Sequence, residues 1–217
     1  MKTAILLGAT GLVGDYLLRQ LLLDDRFTAV KVLARRSTGY QNPKLTEHIV
    51  DFHQPQQWSN LLTGDVLFSM LGTTLRQAGS QAAQYEIDYT YQYQVAQAAA
   101  EHSVETYVLV SSAGADAESL VFYSRMKGEL ERDVKKLPFR RIRILQPGML
   151  AGPRKEPRTG ERLGLVLGSL ISQVPVLRQY RPIHGRTVAQ AMINAALDET
   201  PGVQTISLEE VFERAAQ

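Results

Sequence analysis

Short apolar runs alternate along the chain with longer segments in which apolar residues recur every three or four positions. The runs predict strands near 3–8, 29–34, 47–51, 65–71, 106–111 and 140–145, and the periodic segments predict helices near 12–23, 55–62, 81–102 and 122–136. The runs at 65–71 and 106–111 are almost entirely apolar, which is typical of strands covered on both faces. We therefore predict an α/β fold with a doubly wound parallel sheet and helices on both of its faces.

A glycine-rich motif connects the first predicted strand to the first predicted helix. Gly8, Gly11 and Gly14 lie three residues apart in the stretch GATGLVG. Glycine lets the backbone turn sharply and lets a pyrophosphate approach the helix N-terminus, where unpaired N–H groups and the helix dipole favour negative charge. The spacing alone is a weak signal. Its position between a strand and a helix predicts dinucleotide binding.

The pattern changes after residue 147. A turn-rich basic loop at 152–160 precedes an apolar helix near 161–174, an extended piece at 181–185, a helix at 187–198, a last strand near 205–208 and a C-terminal helix. In a doubly wound fold, ligands bind beyond the carboxyl ends of the strands. We predict one domain over 1–217, in which 1–147 is the cofactor-binding core and 148–217 is a small C-terminal cap on the substrate side.

Composition excludes several classes of protein. The 217 residues carry a net charge of +2, which does not favour nucleic acid, and contain no cysteine, which excludes disulfides, thiolate metal sites and cysteine nucleophiles. The four histidines show no metal-ligand spacing. No stretch reaches the ~18 apolar residues of a membrane span, and the glycines interrupt what would otherwise resemble a signal peptide. We expect no metal, nucleic acid or membrane partner, and a cytoplasmic protein.

Two arginines follow the second predicted strand. A cofactor with a free ribose 2′-hydroxyl favours an acidic residue near this point, whereas a 2′-phosphate favours arginine. Arg35 and Arg36 occupy the position, and no Asp or Glu occurs between Arg26 and Glu47. The pair predicts NADP(H), and two solvated arginines at a strand end are the alternative. Asp51 and Phe52, after the third strand, are placed to contact an adenine, or are an ordinary strand exit.

A tyrosine and a lysine lie four residues apart on the helix predicted at 122–136. Tyr123 and Lys127 therefore share one helix face, where the lysine cation favours the phenolate and prepares the tyrosine for proton transfer. Ser111 and Ser112 end the preceding strand, where a hydroxyl could polarise a substrate carbonyl. Turn and helix-capping chemistry is the alternative for the two serines.

Other chemistry-bearing residues favour structural roles. Tyr85, Tyr89 and Tyr93 form a stripe that is more typical of a packed or dimer-forming helix face than of a stacking platform. His184 is more often structural than substrate-facing in such a position. Basic side chains of the 152–162 region are most simply a solvated loop, although they could select an anionic substrate: Arg154, Lys155, Arg158 and Arg162.

Together the motifs resemble a known family. GATGLVG, ARR, VDF, LGTT, SSAGAD, YSRMK and QPGML occur in the order and spacing of short-chain dehydrogenases/reductases. More narrowly, they are similar to the atypical subgroup related to the Tat-interacting-protein oxidoreductase, within the NAD(P)-binding epimerase-like proteins. The resemblance covers residues 1 to about 150 well and the remainder loosely. It implies a Rossmann-type fold.

The resemblance also implies roles for individual residues. Ser112, with Ser111 as the alternative, would orient the carbonyl, Tyr123 would be the general acid/base, and Lys127 would tune it and hold the nicotinamide ribose. The implied cofactor contacts are Gly8, Thr10, Gly11, Leu12, Val13, Gly14, Arg35, Arg36, Asp51, Phe52, Leu71, Gly72, Thr73, Ser111, Tyr123, Lys127, Pro147, Gly148 and Met149.

One departure from the family pattern bears on function. Many extended members carry asparagine where this chain has Asp88, and a carboxylate cannot donate the hydrogen bonds of an amide. The leading hypothesis is an NADP(H)-dependent oxidoreductase acting on a small carbonyl or alcohol, as a monomer or homodimer. The alternatives are an NADPH-binding regulatory or redox-sensing protein with a protein partner and little turnover, and an NAD(P)-dependent epimerase.

Overall fold

The computed structural model describes residues 1–152 and 181–217, and within them a parallel sheet of seven strands forms the centre of the molecule. Its strands are β1 (Lys2–Leu7), β2 (Phe27–Ala34), β3 (Leu45–Ile49), β4 (Val66–Ser69), β5 (Thr106–Val110), β6 (Arg141–Gln146) and β9 (Gly202–Ser207). A separate small sheet consists of β7 (Leu150–Ala151) and β8 (Ile183–His184). The order of the large sheet is β3-β2-β1-β4-β5-β6-β9, and β7 pairs with β8.

Seven helices accompany these strands in the described residues. They are α1 (Leu12–Leu23), α2 (Leu75–Ala78), α3 (Gln81–Tyr85), α4 (Tyr91–Glu101), α5 (Phe122–Val134), α6 (Gly185–Leu197) and α7 (Glu209–Ala216). A π-helical turn, Glu86–Thr90, joins α3 directly to α4.

The sheet separates two apolar cores. On one face, apolar residues of α1, such as Leu17 and Leu21, pack with Met192 of α6 and Val211 of α7. On the other face, the core combines α4 and α5 with the segment between β3 and β4, where Trp58 is fully buried. Because both faces are covered, the inner strands are apolar along almost their whole length, as the sequence predicted. The α/β, doubly wound, Rossmann-type fold is confirmed.

The order β3-β2-β1-β4-β5-β6 places its topological switch point between β1 and β4. Chain connections leave these two neighbours in opposite directions across the sheet, which opens a crevice beyond their carboxyl ends. Gly8 follows β1 at this point and Met70 follows β4. The fold therefore brings the glycine motif to the site that doubly wound sheets use for ligands.

The structure differs from the prediction in several elements. The helix predicted at 55–62 is two short 3-10 turns, Pro55–Gln57 and Ser59–Leu61. The four-residue helix α2 was not predicted, and the helix predicted at 81–102 contains the π-turn. The helix predicted near 161–174 and the basic side chains of the preceding loop lie outside the described residues. The single-domain assignment stays a prediction.

Candidate cofactor and active site

The connection from β1 to α1 leaves room for an anion at the helix N-terminus. Gly8 has φ +94°, a conformation that favours glycine. The Gly11 N–H donates a hydrogen bond to the Gly8 carbonyl at 3.0 Å and closes the turn between them. A Cβ added to Gly14 would lie 2.1 Å from that carbonyl oxygen. No side chain caps the N-terminus of α1. These features fit a pyrophosphate held by backbone N–H groups.

The side chains beside these glycines divide between surface and core. Thr10 is exposed and Leu12 is half-buried, whereas Val13 is buried in the core. Val13 could therefore contact a cofactor only through its backbone. Leu12 also lies close to Gly152, which follows β7: a Cβ added to Gly152 would lie 3.0 Å from a Leu12 methyl group. The start of α1 and the chain after β6 thus border the same region.

The loop after β4 lies against the glycine turn. A Cβ on Gly8 would lie 2.7 Å from the Leu71 backbone nitrogen, so the two loops are in close contact. Farther along this loop, the Thr73 backbone N–H donates to Asp88 Oδ2 at 2.8 Å, and a Cβ on Gly72 would lie 3.3 Å from Asp88 Oδ1. The loop that the resemblance assigns to the cofactor ribose is therefore held by the carboxylate of Asp88.

Tyr123 and Lys127 lie together on the first two turns of α5. The Lys127 ammonium nitrogen is 6.0 Å from the centre of the Tyr123 ring, and Lys127 is only 3% exposed whereas Tyr123 is 41% exposed. Lys127 Nζ lies 3.3 Å from Asp88 Oδ1, and Asp88 is 1% exposed. Burial lowers the pKa of Lys127, but Asp88, with help from Tyr123, outweighs it and raises the pKa above its ordinary value. Lys127 is therefore a buried cation at neutral pH.

The two serines at the end of β5 have different surroundings. Ser111 is buried and its hydroxyl has no hydrogen-bond partner within the described residues, while Ser112 is half-buried and donates weakly to the Ala113 carbonyl at 3.3 Å. A backbone hydrogen bond joins this segment to the chain after β6: the Ala113 N–H donates to the Pro147 carbonyl at 3.0 Å. Gly148 is half-buried and Met149 is exposed beside them.

The adenosine side of the site matches the sequence prediction only in part. Arg35 and Arg36 are exposed after β2, and neither forms an ion pair with another described residue. The Asp51 carboxylate accepts hydrogen bonds from the backbone of His53 and the side chain of Gln54, so it closes its own turn. The Phe52 ring is 3% exposed and packs between Trp58 and Tyr91. An adenine could therefore meet the backbone of Phe52 rather than the face of its ring.

The structure gives packing roles to the tyrosine stripe and to His184. The rings of Tyr85, Tyr89 and Tyr93 stack on one another, and Tyr89 donates a hydrogen bond to Asp133 of α5 at 2.8 Å. His184 Nδ1 accepts the Arg186 N–H at 3.1 Å and thereby caps α6. Both observations agree with the structural interpretation of these residues. The described residues contain no cluster of potential metal ligands.

A buried polar stripe lies next to the site, and of its three residues only Asp88 was singled out from the sequence. Gln84, Asp88 and Gln92 are all buried, four residues apart. The Gln84 amide approaches the Thr73 carbonyl at 3.4 Å, while Gln92 donates to the Asp88 carbonyl at 2.6 Å and accepts from Ser69 at 2.7 Å. The signal was three polar residues at helical spacing on a side that also carries apolar core residues.

Comparison with known proteins identifies the family. The model of the NAD(P)H-binding family matches residues 8–173, which include the glycine motif, the arginine pair and the Tyr123/Lys127 pair. The chain belongs to this family.

Relatives with known names match nearly the whole chain. "Protein FMP52, mitochondrial" of Saccharomyces cerevisiae is 38% identical over 98% of this chain and 96% of its own length. The protein of the same name from Candida glabrata is 36% identical over 98% of this chain and 95% of its own length. The expectation of a cytoplasmic protein is wrong, because these relatives are named as mitochondrial. No helix among the described residues is long and apolar enough to cross a membrane.

Solved structures share the fold at low sequence identity. MoeE5 in complex with UDP-glucuronic acid and NAD has a TM-score of 0.72 at 18% identity, covering 96% of this chain and 76% of that one. The UDP-Glc/GlcNAc 4-epimerase from Campylobacter jejuni has a TM-score of 0.71 at 16% identity, covering 98% and 82%. With the family match, they confirm the resemblance to atypical short-chain dehydrogenases/reductases with a Rossmann-type NAD(P)-binding fold. These comparisons agree with either NAD or NADP as the cofactor.

Proposed function

We propose that this protein is an NADP(H)-dependent oxidoreductase that acts on a small carbonyl or alcohol. The observation that carries the proposal is the pair on α5: an accessible Tyr123 beside Lys127, which is buried and kept charged by Asp88. A buried cation has an energetic cost, and a site that keeps one next to a tyrosine is suited to stabilising a phenolate.

The residues divide the work of a carbonyl reduction as follows. The Ser112 hydroxyl hydrogen-bonds to the substrate oxygen and orients it, and the Tyr123 hydroxyl donates its proton to that oxygen. Lys127 stabilises the resulting phenolate and is the residue placed to hold the nicotinamide ribose. The bound nicotinamide supplies the hydride. In the oxidation of an alcohol, Tyr123 accepts the proton instead.

The preference for a 2′-phosphate is supported by the arginine pair. Arg35 and Arg36 are exposed at the carboxyl end of β2, next to the switch point, and lack ion-pair partners in the described part of the chain. Guanidinium groups bind phosphate in a bidentate manner and remain charged at every relevant pH. The backbone turn at Gly8 and the uncapped start of α1 provide the adjoining seat for the pyrophosphate.

The proposal is tested by removing one oxygen. Tyr123→Phe is expected to lower NADPH-dependent turnover of a responsive carbonyl by at least about a hundredfold, because general acid catalysis is lost, while NADPH affinity stays nearly unchanged. Tyr93→Phe is the matched control, since the Tyr93 ring stacks on Tyr89 and has no role in the proposed chemistry. Turnover, the dissociation constant of NADPH and the melting temperature are measured for both variants.

The same assay separates the competing functions. Equal activity of Tyr123→Phe and the wild-type protein would contradict the assigned role of Tyr123. Product formed over many turnovers without net change in cofactor absorbance would indicate an epimerase. Tight NADPH binding with no turnover across a broad carbonyl panel, but with NADPH-dependent binding of a protein partner, would indicate a regulatory protein.

A further inference from the structure

A carboxylate that contacts the β2–β3 connection has no role in the proposed chemistry. Glu47 lies on β3, the edge strand beside β2, and is half-buried. We propose that Glu47 is a positioning residue for the cofactor's 2′-phosphate: it fixes the backbone directly after Arg35 and Arg36 and so holds the arginine pair in place. The inference rests on the proposed preference for NADP(H).

Glu47 makes three hydrogen bonds to the two residues that follow the arginine pair. Its Oε2 accepts the Ser37 hydroxyl at 2.6 Å, and its Oε1 accepts both the backbone N–H of Thr38, at 2.8 Å, and the Thr38 hydroxyl. The partial burial of Glu47 opposes its ionisation, but these three donors outweigh it and keep the pKa of Glu47 below its ordinary value. The carboxylate is therefore ionised at neutral pH and able to accept all three.

The hydroxyls that donate to Glu47 also order the residues beyond them. Ser37 Oγ accepts the Gly39 N–H at 3.1 Å, and Thr38 Oγ1 accepts the Tyr40 N–H at 3.3 Å. Gly39, between Thr38 and Tyr40, has φ +81°, a left-handed backbone conformation that favours glycine. Each hydroxyl thus links the Glu47 carboxylate to the backbone two residues farther on, in the manner of a side-chain-stabilised turn.

The middle of the connection is held against α1 by Tyr40. The Tyr40 hydroxyl donates to Asp15 at 2.9 Å and accepts from Arg19, which in turn pairs with Asp15 at 2.8 Å. The connection between β2 and β3 has no helix of its own. Two sets of side-chain contacts, at Glu47 and at Tyr40, take the place of a helix in fixing its path.

This arrangement also determines where negative charge lies near the arginines. Among the described residues, Glu47 pairs with neither Arg35 nor Arg36, and its oxygens accept instead from Ser37 and Thr38. Its charge nevertheless repels a nearby phosphate. If Glu47 acts mainly by positioning the arginine pair, its removal weakens NADPH binding. If its charge repulsion of the phosphate dominates, its removal strengthens NADPH binding, so the affinity distinguishes the two effects.

The test measures dissociation constants of NADPH and NADH for the full chain by titration calorimetry, without any turnover. Glu47→Ala removes both the contacts and the charge, and Glu47→Gln removes the charge while keeping one accepting oxygen. Ser37→Ala/Thr38→Val removes the two hydroxyl contacts, leaves the contact from the Thr38 backbone N–H and keeps the charge. Glu101→Ala is the control, because Glu101 is an exposed acid at the end of α4, in the connection that leads into β5 rather than in the one between β2 and β3.

We expect Glu47→Ala and Ser37→Ala/Thr38→Val each to weaken NADPH binding by about fivefold to tenfold, since a segment ordered in advance must now be ordered on binding. NADH binding is expected to change less than twofold in both variants, because NADH has no 2′-phosphate. Glu47→Gln should fall between wild type and Glu47→Ala, and Glu101→Ala should match the wild type. Melting temperatures without ligand confirm that each variant is folded.

Three results would overturn the inference. An unchanged ratio of NADPH to NADH affinity in Glu47→Ala would show that the segment needs no support from Glu47. A higher NADPH affinity in both Glu47 variants would show that charge repulsion is the dominant effect. A wild-type protein that binds NADH as tightly as NADPH would remove the 2′-phosphate site itself, and with it both the NADP(H) proposal and this inference.

Discussion

The Asp88 carboxylate is the residue on which the candidate active site depends most. It pairs with Lys127 at 3.3 Å and accepts the Thr73 N–H at 2.8 Å, so one side chain connects the helix of the Tyr123/Lys127 pair to the loop proposed to border the ribose. Asparagine at this position could still accept from Thr73 but could not neutralise Lys127. The departure from the family pattern thus has a physical consequence: the lysine here has its own buried counter-ion.

Replacing Asp88 is expected to affect both stability and the pH range of activity. Asp88→Asn should lower the free energy of unfolding by about 3 kcal/mol at pH 7, since it leaves Lys127 buried without its partner. The raised pKa of Lys127 means that its contribution is fully present below the ordinary lysine value and is lost as pH rises through the folded-state value. In the variant, unopposed burial lowers the pKa of Lys127, so activity should decline at a lower pH than in the wild type.

Urea unfolding and a pH–rate profile measure these two effects separately. Asp25→Asn is the control, because Asp25 is fully exposed and lies 3.7 Å from the Lys44 ammonium. A variant that loses stability but keeps the wild-type pH profile would show that Asp88 has a structural role only. Unchanged stability would mean that the pair contributes nothing net to folding.

At the level of single residues, the sequence predicts those whose roles follow from local spacing. Gly8, Gly11 and Gly14 are recognisable because a strand and a helix adjoin them, and Tyr123 and Lys127 because four residues make one helical turn. The partner of Lys127 could not be predicted, because Asp88 is 39 positions away in the chain and meets it only after α5 packs on the π-turn. Glu47 was missed for the same reason.

At the level of elements, periodicity identified the long helices and the buried strands. The segment at 55–62 shows why short elements were less predictable: its apolar residues have helical spacing, but Trp58 packs into the core through two 3-10 turns. A π-turn contains one more residue than a turn of α-helix. The apolar residues of the segment at 81–102 keep helical spacing through the π-turn, so the sequence pattern does not reveal it. Such turns often occur at functional sites, and this one carries Asp88.

The C-terminal elements are joined to the sheet by a charged cluster around Asp198. Asp198 follows α6, accepts the Thr200 N–H at 3.0 Å and pairs with Arg214 of α7 at 3.1 Å. The fully buried Arg143 of β6 lies 3.8 Å away and donates to the Asp198 and Gly202 carbonyls. These contacts hold α6, β9 and α7 together at the edge of the sheet.

Removing the charge of Asp198 is expected to lower stability in a pH-dependent way. Hydrogen bonds from Thr200, with the charges of Arg214 and Arg143, lower the pKa of Asp198 to about 2. A lowered carboxyl pKa stabilises the fold above the ordinary value of 3.8, and the effect is lost as pH falls through the folded-state value. Asp198→Asn should therefore cost about 2 kcal/mol at pH 7 and almost nothing at pH 2.

Urea unfolding of the wild type, Asp198→Asn and the exposed neighbouring variant Glu199→Gln, at pH 7 and across pH 4 to 2, measures this difference. Glu199→Gln should match the wild type throughout. A constant difference between wild type and Asp198→Asn from pH 7 to pH 2 would show that packing, rather than ionisation, accounts for the loss.

For the whole molecule, the strand order decides which distant residues can act together. Three residues from distant parts of the chain follow the neighbouring strands β1, β4 and β5: Gly8, Leu71 and Ser112. Because these strands are parallel, all three residues lie beyond the carboxyl ends of the strands. Parallel pairing with right-handed crossovers leaves few other arrangements. This is why the fold class and the general position of the site could be predicted, although the contacts between side chains could not.

The choice between NADPH and NADH is also a property of the whole molecule, because a ligand that binds only the folded state raises its stability. At one hundred times its dissociation constant, a cofactor adds about 2.7 kcal/mol, which corresponds to a melting shift of roughly 5–10 °C for a chain of this size. We expect a shift of this size with NADPH and a clearly smaller one with NADH at the same concentration.

Arg35→Ala/Arg36→Ala should reduce the NADPH shift to the NADH value without changing the melting temperature of the free protein, since both side chains are exposed. An equal shift with NADH in the wild type would contradict the assignment of the arginine pair to a 2′-phosphate, and no shift with either cofactor would contradict nucleotide binding at the glycine turn.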